Sequence, residues 1–307
     1  MMVDLRFWSS WHEIVREFLG DYILVEVEGL YELLKEIRSR VVEDFLSGRL
    51  EGDFDPSEAL PPWVCYRYSN KYSHHLEQYY EVLKGECEYM SRKYGFFFFR
   101  TDSVSPKDVA YEWSIWFLDD MLKLGIAPVP GTMDNAVILN NTYALMLMLI
   151  GSARVLREPF KYIILRQPLF FKHEFRIFVK NGTPRLITWY YAEESIRDRK
   201  YYEYSVRVLV NRWDNEVQPI IDKVVEAGVK DFTMDVGFPR NYWWCKQGVW
   251  EQRWALIELN PFPRKDNPHY VYPGLFEKDF WAKLEEAEAN NLIIIRTPAF
   301  EFADKVR

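Results

Sequence analysis

The segment "WALIELNPFPRKDN", Trp254 to Asn267, reads as a buried strand that turns polar just before a proline. Side chains along a strand alternate between faces. Glu258 and Asn260 therefore point one way, while Ala255, Ile257 and Leu259 point the other. A carboxylate beside an amide at a strand end makes an oxygen-rich spot, which suits a hard cation such as Mg²⁺. A polar strand end facing water is the other reading of the same residues.

Upstream, "DFTMDVGFP" from Asp231 to Pro239 has strand alternation, with Phe232, Met234, Val236 and Phe238 on its apolar face. Asp235 then sits on the opposite face. Gly248 marks a turn that returns the chain into the opening stretch, so a hairpin would set Asp235 beside Glu258 and Asn260. Earlier still, "HEFRIFVKNGTPRLITWYY" reads as a second hairpin about Asn181-Gly182, the favoured two-residue turn. Phe175, Ile177 and Val179 share one face of it; Glu174, Arg176, Phe178 and Lys180 share the other.

Basic residues end or punctuate the other strands. In "GFFFFRTDSVSPKDVAYEWSIWFLDDMLKLG", Phe96 to Phe99 form a strand that stops at Arg100. Ser105 is a helix N-cap, Pro106 fits the first helical position, Asp108 complements the helix dipole and Gly125 supplies the stop. Lys107 lies near that helix N-terminus, and such strand–loop–helix starts often handle phosphates. "KYIILRQPL" is another strand, ending in Arg166. Carboxylates for Mg²⁺ together with Arg100, Arg166, Arg176 and Lys107 for phosphate oxygens are what a nucleoside triphosphate site needs. Taken singly, each is more often a surface ion pair.

The remaining chain reads as helix and loop. Residues 11–50 have helical apolar spacing, 51–63 are an acidic, proline-containing loop, and 74–94 form a helix ending before Gly95. "VILNNTYALMLMLIG" is a short strand and a helix, 213–230 another helix, and "FWAKLEEAEANN" an acidic surface helix.

Composition sets limits. The 307 residues, 49% hydrophobic and 17% aromatic, suit one large domain or two intimate lobes. A net charge of −7 argues against nonspecific coating of nucleic acid or membrane. Cys65, Cys87 and Cys245 give neither a metal-finger spacing nor a disulfide framework. The run "YALMLMLIG" is too short for a bilayer, which needs about 20 residues, and the expectation is a soluble, cytoplasmic protein without a membrane partner. His74 and His75 are adjacent on a helix and point apart, so surface histidines are expected rather than a metal pair. The basic, aromatic stretch from Ile196 to Trp213 could neutralise and stack on RNA, or be an amphipathic cover.

The motifs "FFFFRTDSVSPKDVAYEW", "YIILRQPLFFKHEFRIFVKNG" and "FTMDVGF…WALIELNPF" resemble, in order, those of the cell division cycle protein 123 family of ATP-grasp proteins. The resemblance covers roughly residues 75–265. It implies an α+β, ATP-grasp fold, with two lobes and nucleotide bound between antiparallel sheets. It also implies ATP and Mg²⁺ as cofactors, and Asp235, Glu258 and Asn260 as metal ligands. Arg100, Arg166 and Arg176 would then be nucleotide contacts, with Arg176 and Lys107 in catalytic roles. Arg100 stands where the family usually has a lysine, and Glu258 where it usually has Asp. The expected division is a helical extension over 1–60, an N-terminal lobe over 61–160 and a C-terminal lobe with the metal site over 161–307. The second hairpin and "IELNP" are also similar to ATP-grasp RNA-repair ligases of the Arg-to-Lys clade. Three functions follow from these likenesses: a ligase that activates a carboxylate as an acylphosphate, an ATP-dependent assembly factor for a translation initiation factor 2 subunit, and an RNA ligase.

Overall fold

The computed structural model describes residues 3–105, 107–128, 137–189, 199–239, 252–264, 279–297 and 301–305. Among them the chain forms two units: Met1–Gly20 joined to Leu169–Arg307, and Asp21–Pro168. These divisions differ from boundaries at 60 and 160, and pairing explains the difference. The short helix α1 (Trp8–Trp11) precedes a strand, β1 (Tyr22–Glu26), that pairs antiparallel with β5 (Tyr162–Arg166). The first 60 residues are thus no separate helical extension. The expected helix over 11–50 is really β1 followed by α2 (Leu30–Leu46). "YILVE" is a strand-favouring run, and Gly29 at φ +84° resets the backbone before α2.

In the 21–168 unit, α2 buries Leu30, Leu34, Ile37 and Val41 at helical spacing. Next come α3 (Pro62–Lys71), which starts inside the expected loop with proline in its first turn, and α4 (Ser73–Tyr94), which ends at Gly95 with φ +82°. β2 (Phe98–Thr101) lies two residues later than expected and pairs with β5, giving the sheet order β1-β5-β2. The helix expected up to Gly125 is interrupted at Phe117, giving α5 (Lys107–Trp116) and α6 (Leu118–Lys123); Pro106 lies outside the described residues. β3 (Ile126–Pro128) and β4 (Val137–Leu139) form a small ladder, and α7 (Thr142–Gly151) follows.

All but one of the residues of α7 are buried. A helix apolar all round belongs inside a core, and this one is the centre of its unit, packed among Leu34, Val64, Leu83, Val109, Trp113 and others. Asp108 does more than face a dipole: its carboxylate accepts from Ser152 Oγ at 2.6 Å and from the Arg154 amide at 3.0 Å. That fastens α5 to the end of α7. Asp44 ties α2 to α3 by accepting from Tyr68 Oη at 2.7 Å, Arg49 Nε at 2.8 Å and Lys71 Nζ at 3.2 Å.

The other unit is built on β6 (Phe171–Lys180) and β7 (Thr183–Trp189), joined through Asn181 and Gly182, both at positive φ as the favoured turn requires. α8 (Arg199–Arg212), a π-helical turn over Trp213–Val217 and α9 (Gln218–Glu226) lead to β8 (Phe232–Pro239) and β9 (Ala255–Pro261). α10 (Phe280–Asn290), β10 (Leu292–Arg296) and β11 (Glu301–Lys305) complete it. The six-stranded order is β11-β10-β7-β6-β8-β9. Every pair is antiparallel except β10–β7. The expected turn at Gly248 lies outside the described residues, but the β8–β9 pairing it was to produce is present.

One face of this sheet is aromatic. Phe175 packs against Trp189 and Trp254, and His173 lies among Trp189, Tyr201, Tyr204 and Phe238 with Nδ1 2.8 Å from Ser205 Oγ. On the other face Gly237 is required, because a Cβ there would collide with the Phe171 ring.

Two outcomes test this packing. Gly237→Ala should destabilise the fold by about 1–3 kcal/mol through overpacking, read from the denaturation midpoint; an unchanged midpoint would show that the Phe171 ring yields freely. Hydrogen bonds, Tyr68 first, hold the Asp44 carboxyl well below its ordinary value of 3.8. A depressed folded pKa contributes stability above the unfolded value, and that stability is lost as pH falls below it. Asp44→Asn should therefore lower Tm at pH near 7, and the gap to wild type should close under acid. A gap that stays constant down to strong acid would show that the carboxylate contributes nothing through its charge.

Candidate functional site

Cross-strand register sets the site. Arg296, Thr188, Arg176, Asp235 and Glu258 are successive Cα partners across β10, β7, β6, β8 and β9. They form one polar row on the face opposite Phe175 and Met234. The neighbouring row is Ile294, Leu186, Phe178, Thr233 and Asn260. Its first three members are covered by Phe280, Leu284 and Ala287 of α10. On the other side of the polar row, Glu174, Gly237 and Ala255 are partners.

Asp235, Glu258 and Asn260 are thus brought to one face of one ladder, with Asp235 directly opposite Glu258. Opposed residues have Cβ atoms about 4.5–5.5 Å apart. A bulge between Asp235 and Val236 makes Leu256 the partner of Val236 and Ala255 the partner of Gly237. Ala255 therefore lies on the Asp235 face, not with Ile257 and Leu259. The extra residue interrupts alternation next to the acids, as bulges near functional sites do.

Arg176 is not simply a cation facing solvent. Its Nε and Nη2 donate to the two carboxylate oxygens of Asp235 at 2.7 and 2.8 Å. The residues are 7% and 1% exposed, so this is a buried, bidentate ion pair. It links β6 to β8 and holds Asp235 in place beside Glu258. The group comprises one guanidinium, two carboxylates and the Asn260 amide, which is half-buried.

Arg100 and Arg166 belong to the three-stranded sheet. Arg166 is the Cα partner of Phe98, and Arg100 of Ile164. Arg100 and Arg166 therefore share a face, diagonal to each other on adjacent strands, opposite the face that carries Phe99, Ile163 and Leu165. The Arg100 guanidinium donates to the carbonyls of Thr101 at 3.3 Å and Ser103 at 3.5 Å, fixing it against the turn that leads to α5. Lys107 is the first residue of α5.

Secondary candidates resolve plainly. His74 and His75 are exposed on α4. Cys65 and Cys87 are buried free thiols; burial pushes both up, Cys87 to about 12. Cys245 lies outside the described residues. The described part of the basic stretch is α8, which buries Tyr202, Ser205, Val206 and Leu209 and pairs Arg199 with Glu203 and Arg212 with Glu216. No cluster of three or more His, Cys, Asp or Glu with metal-holding geometry occurs among the described residues, and no described helix is long and apolar enough to cross a membrane.

Sequence reasoning did not single out Thr233 as part of the site. Its hydroxyl is buried with no hydrogen-bond partner, and the residue is 0% exposed. The signal was there in the alternation of "FTMDVG", which puts Thr233 on the face of Asp235.

Cdc123 from Schizosaccharomyces pombe superposes with TM-score 0.53 and 15% identity over 97% of this chain and 98% of that one. The chain has the fold of Cdc123. A C-terminally truncated form of the same yeast protein gives TM-score 0.52 at 13% identity, covering 97% and 99%. D-alanyl-alanine synthetase A from Vibrio cholerae O1 biovar eltor overlaps at TM-score 0.33 and 9% identity, covering 91% of this chain and 62% of that one, a likeness too slight to argue from. No protein-family model matches the chain, and no curated protein matches it. The described residues of this chain form two units with largely antiparallel sheets, the α+β organisation expected from the motifs.

The ion pair generates its own test. Removing one member of a buried pair strands the other, at about 3–5 kcal/mol, whereas replacing both with apolar residues of similar size is often near neutral. Arg176→Met and Asp235→Leu should each lower stability by about that amount, and the double variant should recover most of it. Additive losses in chemical denaturation would show that the two side chains do not depend on each other.

Proposed function

We propose that the chain binds ATP with Mg²⁺, and that Glu258 and Asn260 hold the cation while Asp235 supports them. The single observation behind this is the placement of two opposed carboxylates and an amide on one ladder. Like charges directly opposite each other on a sheet are unfavourable, and a bound cation between two carboxylates lowers that repulsion. Magnesium is commonly held by one or two carboxylates, with waters and phosphates filling its other positions, so this donor set fits it. When bound, the cation neutralises triphosphate charge; the chain's part is to hold the oxygens still. The bidentate grip of Arg176 keeps Asp235 from rotating away, and Asn260, one alternation on, contributes a neutral oxygen.

The motif resemblance assigns phosphate contacts to Arg100, Arg166 and Arg176, with Lys107 near a helix start. Arg176 is already committed to Asp235, so its role is chiefly to position that carboxylate. Arg100 and Arg166 share a face of their own sheet, and guanidinium forks suit phosphate oxygens. Beyond nucleotide binding, the reading favoured is an ATP-dependent ligase that activates a carboxylate. An assembly factor for a translation initiation factor 2 subunit is the second reading, supported by the likeness to Cdc123. Labelled ATP separates these: ADP release points to acylphosphate chemistry, AMP to nucleotidyl transfer as in RNA ligases, and neither product to an assembly role.

Glu258→Gln and Asn260→Ala should weaken Mg-ATP binding, measured by titration calorimetry, far more than they lower Tm. Wild-type protein at 100 times the dissociation constant should gain roughly 2.7 kcal/mol of stability by mass action. Asp235→Asn is a poorer probe, because it also disturbs the buried pair. If millimolar Mg-ATP leaves the melting of wild type unchanged, the nucleotide reading fails. If Glu258→Gln and Asn260→Ala bind as wild type does, the metal assignment fails alone.

A further inference from the structure

Thr233 stands in the row between Phe178 and Asn260 and is one alternation from Asp235. Its Oγ1 is buried and has no hydrogen-bond partner. Burying a hydroxyl without a partner is costly, and a site that retains one needs a reason. Valine has the same shape and would remove that cost, so the hydroxyl is not there for packing. The groups nearest in register are the Asn260 amide, directly opposite, and beyond it the face of Asp235 and Glu258.

We infer that Thr233 is the positioning residue for Asn260. Its hydroxyl oxygen accepts from Asn260 Nδ2 when the site is loaded, which turns Oδ1 toward the cation. An amide can present either its oxygen or its nitrogen; only the oxygen ligates a metal, so a partner that selects the rotamer has work to do. Before loading, Asn260 does not engage the hydroxyl, and Oγ1 is left unpartnered. Outer partners of ligand side chains commonly control affinity in this way. The inference rests on the nucleotide reading above, and it names a residue that reading does not use.

Thr233→Val and Thr233→Ser, compared with wild type, test it through Mg-ATP titration calorimetry and through Tm without ligand. The valine variant should melt at or above the wild-type temperature without ligand, since an unpaired buried hydroxyl has been removed. It should bind Mg-ATP about tenfold or more weakly, and serine should restore binding. Manganese in place of magnesium should show the same loss. Wild type binding Mg-ATP while the valine variant binds equally well would overturn the role of Thr233 and leave the functional reading standing. A clear fall in Tm without ligand for valine would also overturn it, because the hydroxyl would then have a structural partner. No binding by wild type would remove both.

Discussion

The Arg176–Asp235 pair fixes the register on which everything else at the site depends. Strand side chains alternate with period two, so a slip of one residue between β6 and β8 would send Asp235 into the aromatic face and leave a guanidinium buried alone. Net stabilisation from such a pair is small, since desolvation offsets most of the attraction. Its effect is on alternatives: every mispaired arrangement strands a charge. With β6 and β8 locked, Glu258 falls opposite Asp235, and Asn260 opposite Thr233.

That constraint explains why the site was legible in the sequence. Asp235, Glu258 and Asn260 each interrupt an apolar alternation, and two strands with matching interruptions pair so that the polar residues coincide. Arg176 interrupts its own strand in the same way, but the sequence could not show that it spends its charge on Asp235. A buried cation on a neighbouring strand and a phosphate contact have the same alternation pattern. The bulge that moved Ala255 to the polar face was invisible for a similar reason. Period two assumes an unbroken ladder, and a single extra residue is specified by the partner strand, not by local composition.

In the 21–168 unit the misreadings have a different origin. Helical spacing over residues 11–50 was genuine only in α2, and β1 was absorbed into it because a five-residue strand has little periodicity to display. Only pairing with β5 makes it a strand. The break between α5 and α6 at Phe117 likewise lacks any Gly or Pro to announce it. By contrast α4, the Asn181–Gly182 hairpin and β8 were legible, because each has a strong local signal: a long amphipathic stripe, a two-residue turn, clean alternation.

Two adjacent rows of one sheet face thus do opposite things. The row through Ile294, Leu186 and Phe178 is dry and covered by α10, while the row through Thr188, Arg176, Asp235 and Glu258 holds charge. Thr233 and Asn260 belong to the dry row by register and to the charged group by chemistry. A polar group at the margin of an apolar strip is held more rigidly than one in water, because neighbouring side chains restrict its rotamers, and it interacts more strongly with charge because the surroundings screen less. The unpaired hydroxyl of Thr233 is the cost of placing a rotamer-selecting group in that position. A folded chain accepts such a cost at sites where ligand contacts later satisfy the group, which accords with the unpartnered Thr233 hydroxyl standing on the same face as Asp235, Glu258 and Asn260, the proposed metal ligands.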